Sequence, residues 1–187
     1  MVLMQSFKII ILSIVAAITY GIVHDQISAH ICVEYFTIGH ARLIQSESPF
    51  ILGLFWGIVA TWWVGLLLGI GLSLSARYGE RPKLTYRELK EPALTLMKVM
   101  FCCAFLAGVI GFITSSTGVF QLIQRLAEQV PEDKHIAFLT VGWAHSASYL
   151  AAVMGGIVLC IKTWKRRKRE RLNGNSSESE PLPGQIT

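Results

Sequence analysis

Three histidines, Asp25, Glu34 and Cys32 fall within the stretch HDQISAHICVEYFTIGH, His24 to His40. Imidazole and carboxylate together are the ligand set of zinc and of non-haem iron or manganese. A fifth histidine, His145, sits in GWAHSASY, inside an otherwise uncharged apolar run. An ionisable group at such a depth marks a functional site by default. His24, Asp25, Glu34, His40 and His145 are therefore candidate ligands for a divalent metal such as zinc or iron. Glu34 and His145 are candidate acid–base groups for activating water. The spacing carries little specificity, because HExxH, CxxC and paired ExxH motifs are absent.

Each candidate has a plainer reading. His24 and Asp25 could form a solvated helix end. Glu34 could pair with Arg42. His145 could be a neutral histidine bonded to Thr61, Thr114 or Ser115, and Ser146 and Ser148 could bond their own i−4 carbonyls. His30 and His135 read as exposed. If the stretch is helical, His30 and Glu34 share a face, and Gly39 is a natural stop that turns His40 back towards the rest of the chain.

The elements that must hold these residues are apolar. The chain of 187 residues is 52% hydrophobic and 16% charged, with a mean hydropathy of +0.50. A soluble enzyme is excluded on that composition, and no Walker loop, GxGxxG or GxSxG is present. Four runs are long enough, or nearly so, to cross about 30 Å of hydrocarbon. They predict spans at about 7–26, 50–76, 99–120 and 136–161. The first reads as a retained helix, since no small-x-small cleavage site follows it. Only helices suit such runs. The expected fold is all-α: a polytopic membrane four-helix bundle over residues 1–161, with short interfacial helices. Residues 162–187, basic and then polar, are expected to form a disordered tail. Four scattered cysteines predict no structural disulfide.

Charge sets the direction. Arg77, Arg81, Lys83, Arg87, Lys90 and Lys98 outweigh Glu80, Glu88 and Glu91 in one connection, and the segment after Ile161 is also strongly basic. The other two connections are net acidic. Basic segments stay in the cytoplasm. Both termini are thus expected to be cytoplasmic, in a plasma (inner) membrane, with all five histidines on the outer side. The basic tail reads as a stop-transfer anchor with snorkelling side chains. Its sharper alternative is an anionic-lipid or nucleic-acid patch, and no nucleic-acid partner is expected.

Pro92 predicts a short cytoplasmic helix before the third span. VFQLIQRLAEQV predicts an amphipathic helix on the outer surface. Gly53 and Gly57, and Gly65 and Gly69, have the small-xxx-small spacing that lets helices approach in lipid, either within the chain or between copies or subunits. Trp56, Trp62, Trp63 and Trp143 could wall a lipid-like ligand.

HDQISAHICVEYFTIGH, with ATWWVGLLLGIGLSLSARYG and GWAHSASY, resembles a family of small bacterial four-span membrane proteins without an assigned activity, over roughly residues 7 to 160. The resemblance implies an integral bacterial membrane protein and adds no substrate. Three functions follow as expectations: an integral membrane protein with a His/carboxylate site at the outer face acting on a lipid-like substrate; a non-catalytic assembly or scaffold subunit; or a small transporter or channel.

Overall fold

The structure, a computed structural model, describes residues 2–178, with side chains described for 3–173. It is an all-α four-helix bundle. In chain order it has α1 (Val2–Ile31), α2 (Glu34–Thr37), α3 (Pro49–Val59), α4 (Trp62–Arg77), α5 (Tyr86–Ser116), α6 (Gln124–Ala127), a 3₁₀ turn (Glu132–Lys134) and α7 (His135–Glu178). Among the described residues, four helical stretches are long and apolar enough to cross a membrane: Leu3–Ile31, Pro49–Arg77, Tyr86–Ser116 and Glu132–Asn173.

The bundle is two antiparallel hairpins. α1 packs along α3 and α4, and α5 packs along α7. The hairpins meet where α1 touches α5 and α4 touches α7, so α1 and α7 face each other across the diagonal.

The glycine ladder explains the first hairpin. A Cβ on Gly53 would meet the Asp25 carbonyl oxygen at 2.9 Å, and one on Gly57 would meet the Ile22 backbone at 2.6 Å. One on Gly65 would meet Ile14 at 2.7 Å, and one on Gly69 would meet Ile10 at 3.0 Å. All four lie against α1, which answers the question the spacing left open: the small residues serve packing within the chain. Gly57→Ala should wedge α1 from α3 and destabilise the protein by about 1–3 kcal/mol. Gly71→Ala is the control. Its Cβ would meet only the Cys160 sulfur, at 3.6 Å, so thermal unfolding in detergent should leave it at or above wild type.

Ala60 and Thr61 interrupt the second span between α3 and α4. The Thr61 hydroxyl donates to the Gly57 carbonyl at 2.5 Å, while the Thr61 N–H turns to Ile58 at 3.3 Å. A hydroxyl that takes over an i−4 carbonyl in this way bends a helix.

Three local expectations change. Pro92 lies inside the continuous α5, because a strong start holds that helix together. The Thr85 N–H and hydroxyl both reach the Glu88 carboxylate, at 2.9 and 3.0 Å. The expected outer amphipathic helix shrinks to the four residues of α6. Gly118, at φ +75, ends α5, and Leu122, Leu126 and Val130 then fold onto Phe138 and Val141. The expected disordered tail is helical as far as Glu178. Its Lys, Arg and Glu residues are good helix formers, and neither Gly nor Pro interrupts them before Gly174. Residues 179–187 of that expected tail lie outside the described residues.

Arg167 is fully buried. Its guanidinium donates to the carbonyls of Pro82 (2.6 Å), Ser75 (2.8 Å), Tyr78 (2.9 Å) and Arg81 (3.1 Å). A cation from α7 thereby closes the carbonyl end of α4, where the helix dipole favours positive charge.

Candidate functional site

α1 carries His24 and Asp25 in its last two turns, and α7 carries His145 about 15 Å from its own start at 1.5 Å per residue. Because α1 and α7 are antiparallel to their hairpin partners and diagonal to each other, these three side chains meet at one level. Asp25 Oδ1 lies 3.2 Å from His24 Nδ1 and 3.2 Å from His145 Nε2. His24, Asp25 and His145 are 7%, 6% and 4% exposed. Their burial overturns the solvated-helix-end reading of His24 and Asp25. Among the described residues this is the one group of three or more potential ligand side chains whose donor atoms lie within 4.8 Å of one another.

The hydrogen bonds around His145 restrict its protons. Its Nδ1 lies 3.1 Å from the Val141 carbonyl, which can only accept. Nδ1 therefore carries a hydrogen and donates it. In a neutral imidazole Nε2 is then a bare lone pair, aimed at a carboxylate oxygen at 3.2 Å. Two acceptors do not face each other at that distance without a cation or a shared proton between them. A buried carboxylate with no compensation is equally costly, and no lysine or arginine reaches Asp25 among the described residues.

Below this cluster, Tyr20 and Ser148 share a hydrogen bond of 2.8 Å across the same diagonal. Tyr20 lies about one turn from His24 on α1, and Ser148 about one turn from His145 on α7. Ser148 thus bonds across the bundle rather than to its own i−4 carbonyl, and the i−4 and i+3 spacing from the two histidines places the pair on the same faces. Ser146 does bond its own i−4 carbonyl, at Gly142.

α2 covers the cluster. It sets the Tyr35 ring 4.7 Å and the Phe36 ring 5.8 Å from His145. Burial pushes the Tyr35 hydroxyl up to about 12 and the Cys32 thiol up to about 11, so both are neutral at physiological pH.

Glu34 and His40 stay outside the three-residue cluster. α1 ends at Ile31, and the break at Cys32 and Val33 rotates Glu34 off the α1 stripe, so it no longer shares a face with His30. Its carboxylate accepts from the Cys32 thiol at 3.4 Å, while Arg42 donates to the Thr37 carbonyl instead. His40 packs between Phe36 and Trp56, with centroids at 5.3 and 4.6 Å, and the Tyr35 ring separates it from His145. Its Nδ1 donates to the Tyr35 carbonyl at 2.9 Å. His30 is exposed and His135 half-buried. Trp62 and Trp63 point outward rather than into the bundle, each nearly half exposed.

Burial lowers His40 below the ordinary imidazole range. Unfolded, it takes up a proton near pH 6.5; folded, it resists until lower pH. Its share of stability is complete above about pH 6.5 and is lost as pH falls from there through the folded value. Thermal midpoints measured at about pH 8 and about pH 5 should differ less in His40→Gln than in wild type.

Two cavities adjoin the cluster. One, of about 90 Å³, is mostly apolar; it touches all four spans and runs from Asp25 and His145 past Leu68 and Leu72 to Cys160. Ser13 and Asp25, near its two ends on α1, are about 18 Å apart. The other, of about 280 Å³, lies between α1, α5 and α7 and is lined by Phe101, Phe105 and Phe112. All three phenylalanines also face the outside of the bundle. His24 lines both.

Comparisons with protein-family models, with curated proteins and with solved structures return no match to this chain.

Proposed function

We propose that this is a multi-pass plasma (inner) membrane protein, with both termini cytoplasmic, that holds a divalent metal ion between His24, Asp25 and His145 near its outer face and presents it to a lipid-like ligand. The observation that carries the reading is the convergence of His24 Nδ1 and His145 Nε2 on Asp25 Oδ1, each at 3.2 Å, in a buried setting. A metal ion held by all three side chains would satisfy that convergence of donor atoms. Donors arranged tetrahedrally around zinc at 2.0–2.1 Å lie about 3.3 Å apart, close to the two 3.2 Å separations here. Metal-bound histidines also characteristically donate their second ring N–H to a carbonyl or carboxylate, as His145 does to Val141.

Two histidines and one carboxylate leave coordination positions free, the condition for polarising a ligand or a bound water. The lateral cavity lined by phenylalanines gives a hydrocarbon chain a route from the bilayer, and the inner cavity extends about 18 Å along α1, room for the length of one such chain. Further protic groups stand close by: the Ser28 hydroxyl lies 3.5 Å from His24 Nδ1, and Tyr149 lines the inner cavity.

Two measurements test the reading. Protein purified from media supplemented with zinc, iron or manganese should carry stoichiometric metal by elemental analysis; metal-free protein in every preparation, with no thermal shift on adding any of the ions, removes the site. Cysteine introduced at Gln45 in a cysteine-free background should react with an impermeant thiol reagent on intact cells, and cysteine at Thr85 should not. The opposite pattern reverses the orientation.

A further inference from the structure

The basic end of α7 divides its cations in an uneven way. Arg167 is turned inward onto four carbonyls. Arg166 is neutralised by Glu88 and Glu170, each at 2.7 Å. Lys162, Lys165, Lys168 and Arg169 are exposed, and each lacks a hydrogen bond or ion pair to any described residue. All four line one groove of about 840 Å³ between α7 and the start of α5. Lys162, Lys165 and Arg169 follow an i, i+3, i+7 stripe. The groove has an apolar side as well: Pro92 and Leu159 lie towards the interior of the spans, and Leu84 and Leu89 close its base.

We propose that this groove is a binding site for an anionic phospholipid, with the headgroup phosphate among Lys162, Lys165, Lys168 and Arg169 and the upper part of an acyl chain against Pro92 and Leu159. Charge complementarity selects the headgroup. The apolar side selects a lipid over a free phosphate or a nucleic acid, neither of which gains from covering leucine and proline. A generic snorkelling anchor would spread its cations around the helix and leave no concavity. Here Arg166 and Arg167 are occupied by the protein, and four of the five other cations of the segment line one groove. The site requires the chain to span a bilayer but is independent of the metal cluster, so metal-free protein can still pass or fail the following test.

Full-length protein is reconstituted in nanodiscs of phosphatidylcholine containing a minority of phosphatidylglycerol, and the lipid retained on release is counted by native mass spectrometry. Wild type should retain phosphatidylglycerol preferentially. The variant Lys162→Gln, Lys165→Gln, Lys168→Gln, Arg169→Gln should retain at least about tenfold less. A second variant removes the same number of charges away from the groove: Lys83→Gln, Arg87→Gln, Lys98→Gln, Arg171→Gln. It should retain phosphatidylglycerol like wild type. Equal loss in both variants means a diffuse surface potential and overturns the site, as does retention that ignores headgroup charge. In phosphatidylcholine nanodiscs, inorganic phosphate or a single-stranded oligonucleotide should bind wild type no better than the groove variant; preferential binding of either to wild type makes a soluble anion the ligand and overturns the lipid assignment.

Discussion

Asp25→Asn is expected to abolish metal retention, lowering affinity at least about 100-fold, while leaving the bundle folded. Asp25 bridges the two imidazoles, with Oδ1 at 3.2 Å from each. The amide keeps the shape but has no charge to offset a dication, and it supplies one neutral oxygen where the carboxylate supplied a strong anionic ligand. Even loss of a group that only orients a metal ligand costs about 10–100-fold, so loss of a ligand itself sets a higher floor. The fold should survive because an amide oxygen in a buried site is cheaper than an unpaired carboxylate. Elemental analysis and a cobalt absorption titration read the metal; circular dichroism reads the helices. Metal retained at wild-type level in Asp25→Asn would mean that the two histidines bind it without the carboxylate.

The second large effect is on stability. Arg167→Ala removes four hydrogen bonds from a charged donor, each worth about 1.5–3 kcal/mol on its own. Partial rehydration of the carbonyls near the helix end will recover some of that, leaving an expected loss on the order of 3 kcal/mol. Arg167→Lys should lose nearly as much, since an ammonium cannot span the Ser75, Tyr78, Arg81 and Pro82 oxygens from one position as the planar fork does. Arg171→Ala, exposed on the same helix, should be nearly neutral. A thermal shift in detergent separates the three. If Arg167→Ala melts with wild type, the buried guanidinium is not what ties α7 to α4.

The architecture was legible because hydrocarbon imposes a length and an uninterrupted apolar run, and both appear directly in residue types. The sequence-based choice of site residues was mixed for a geometric reason. The sequence puts Asp25 at the outer edge of the first span and His145 nine residues into the fourth; α1 running on to Ile31 is what sets Asp25 deeper in the bundle, level with His145. Glu34 lies outside the cluster because α1 ends at Ile31 and Glu34 begins the separate α2, a break at Cys32 and Val33 that residue types do not show. Arg167 was hidden in a run of cations. Its burial follows from continuing the inward stripe of α7, Val141, His145, Ser148, Ala152 and Gly156, by steps of three, four and seven to Thr163 and Arg167. That extrapolation required knowing that the helix does not stop at the membrane boundary. The break at Thr61 was invisible, because threonine inside an apolar helix more often leaves it continuous.

The two-hairpin layout also bears on how the protein is made. The first hairpin carries His24 and Asp25, and the second carries His145, so the cluster is divided between an early-synthesised half and a late one. Neither half can assemble it alone, and the nascent first half must shelter a lone acid in the bilayer until its counterpart emerges. The interval is set by translation of the second hairpin, during which the aspartate has only its neighbouring histidine for company. Docking of the halves is thus the moment at which the cluster comes into existence.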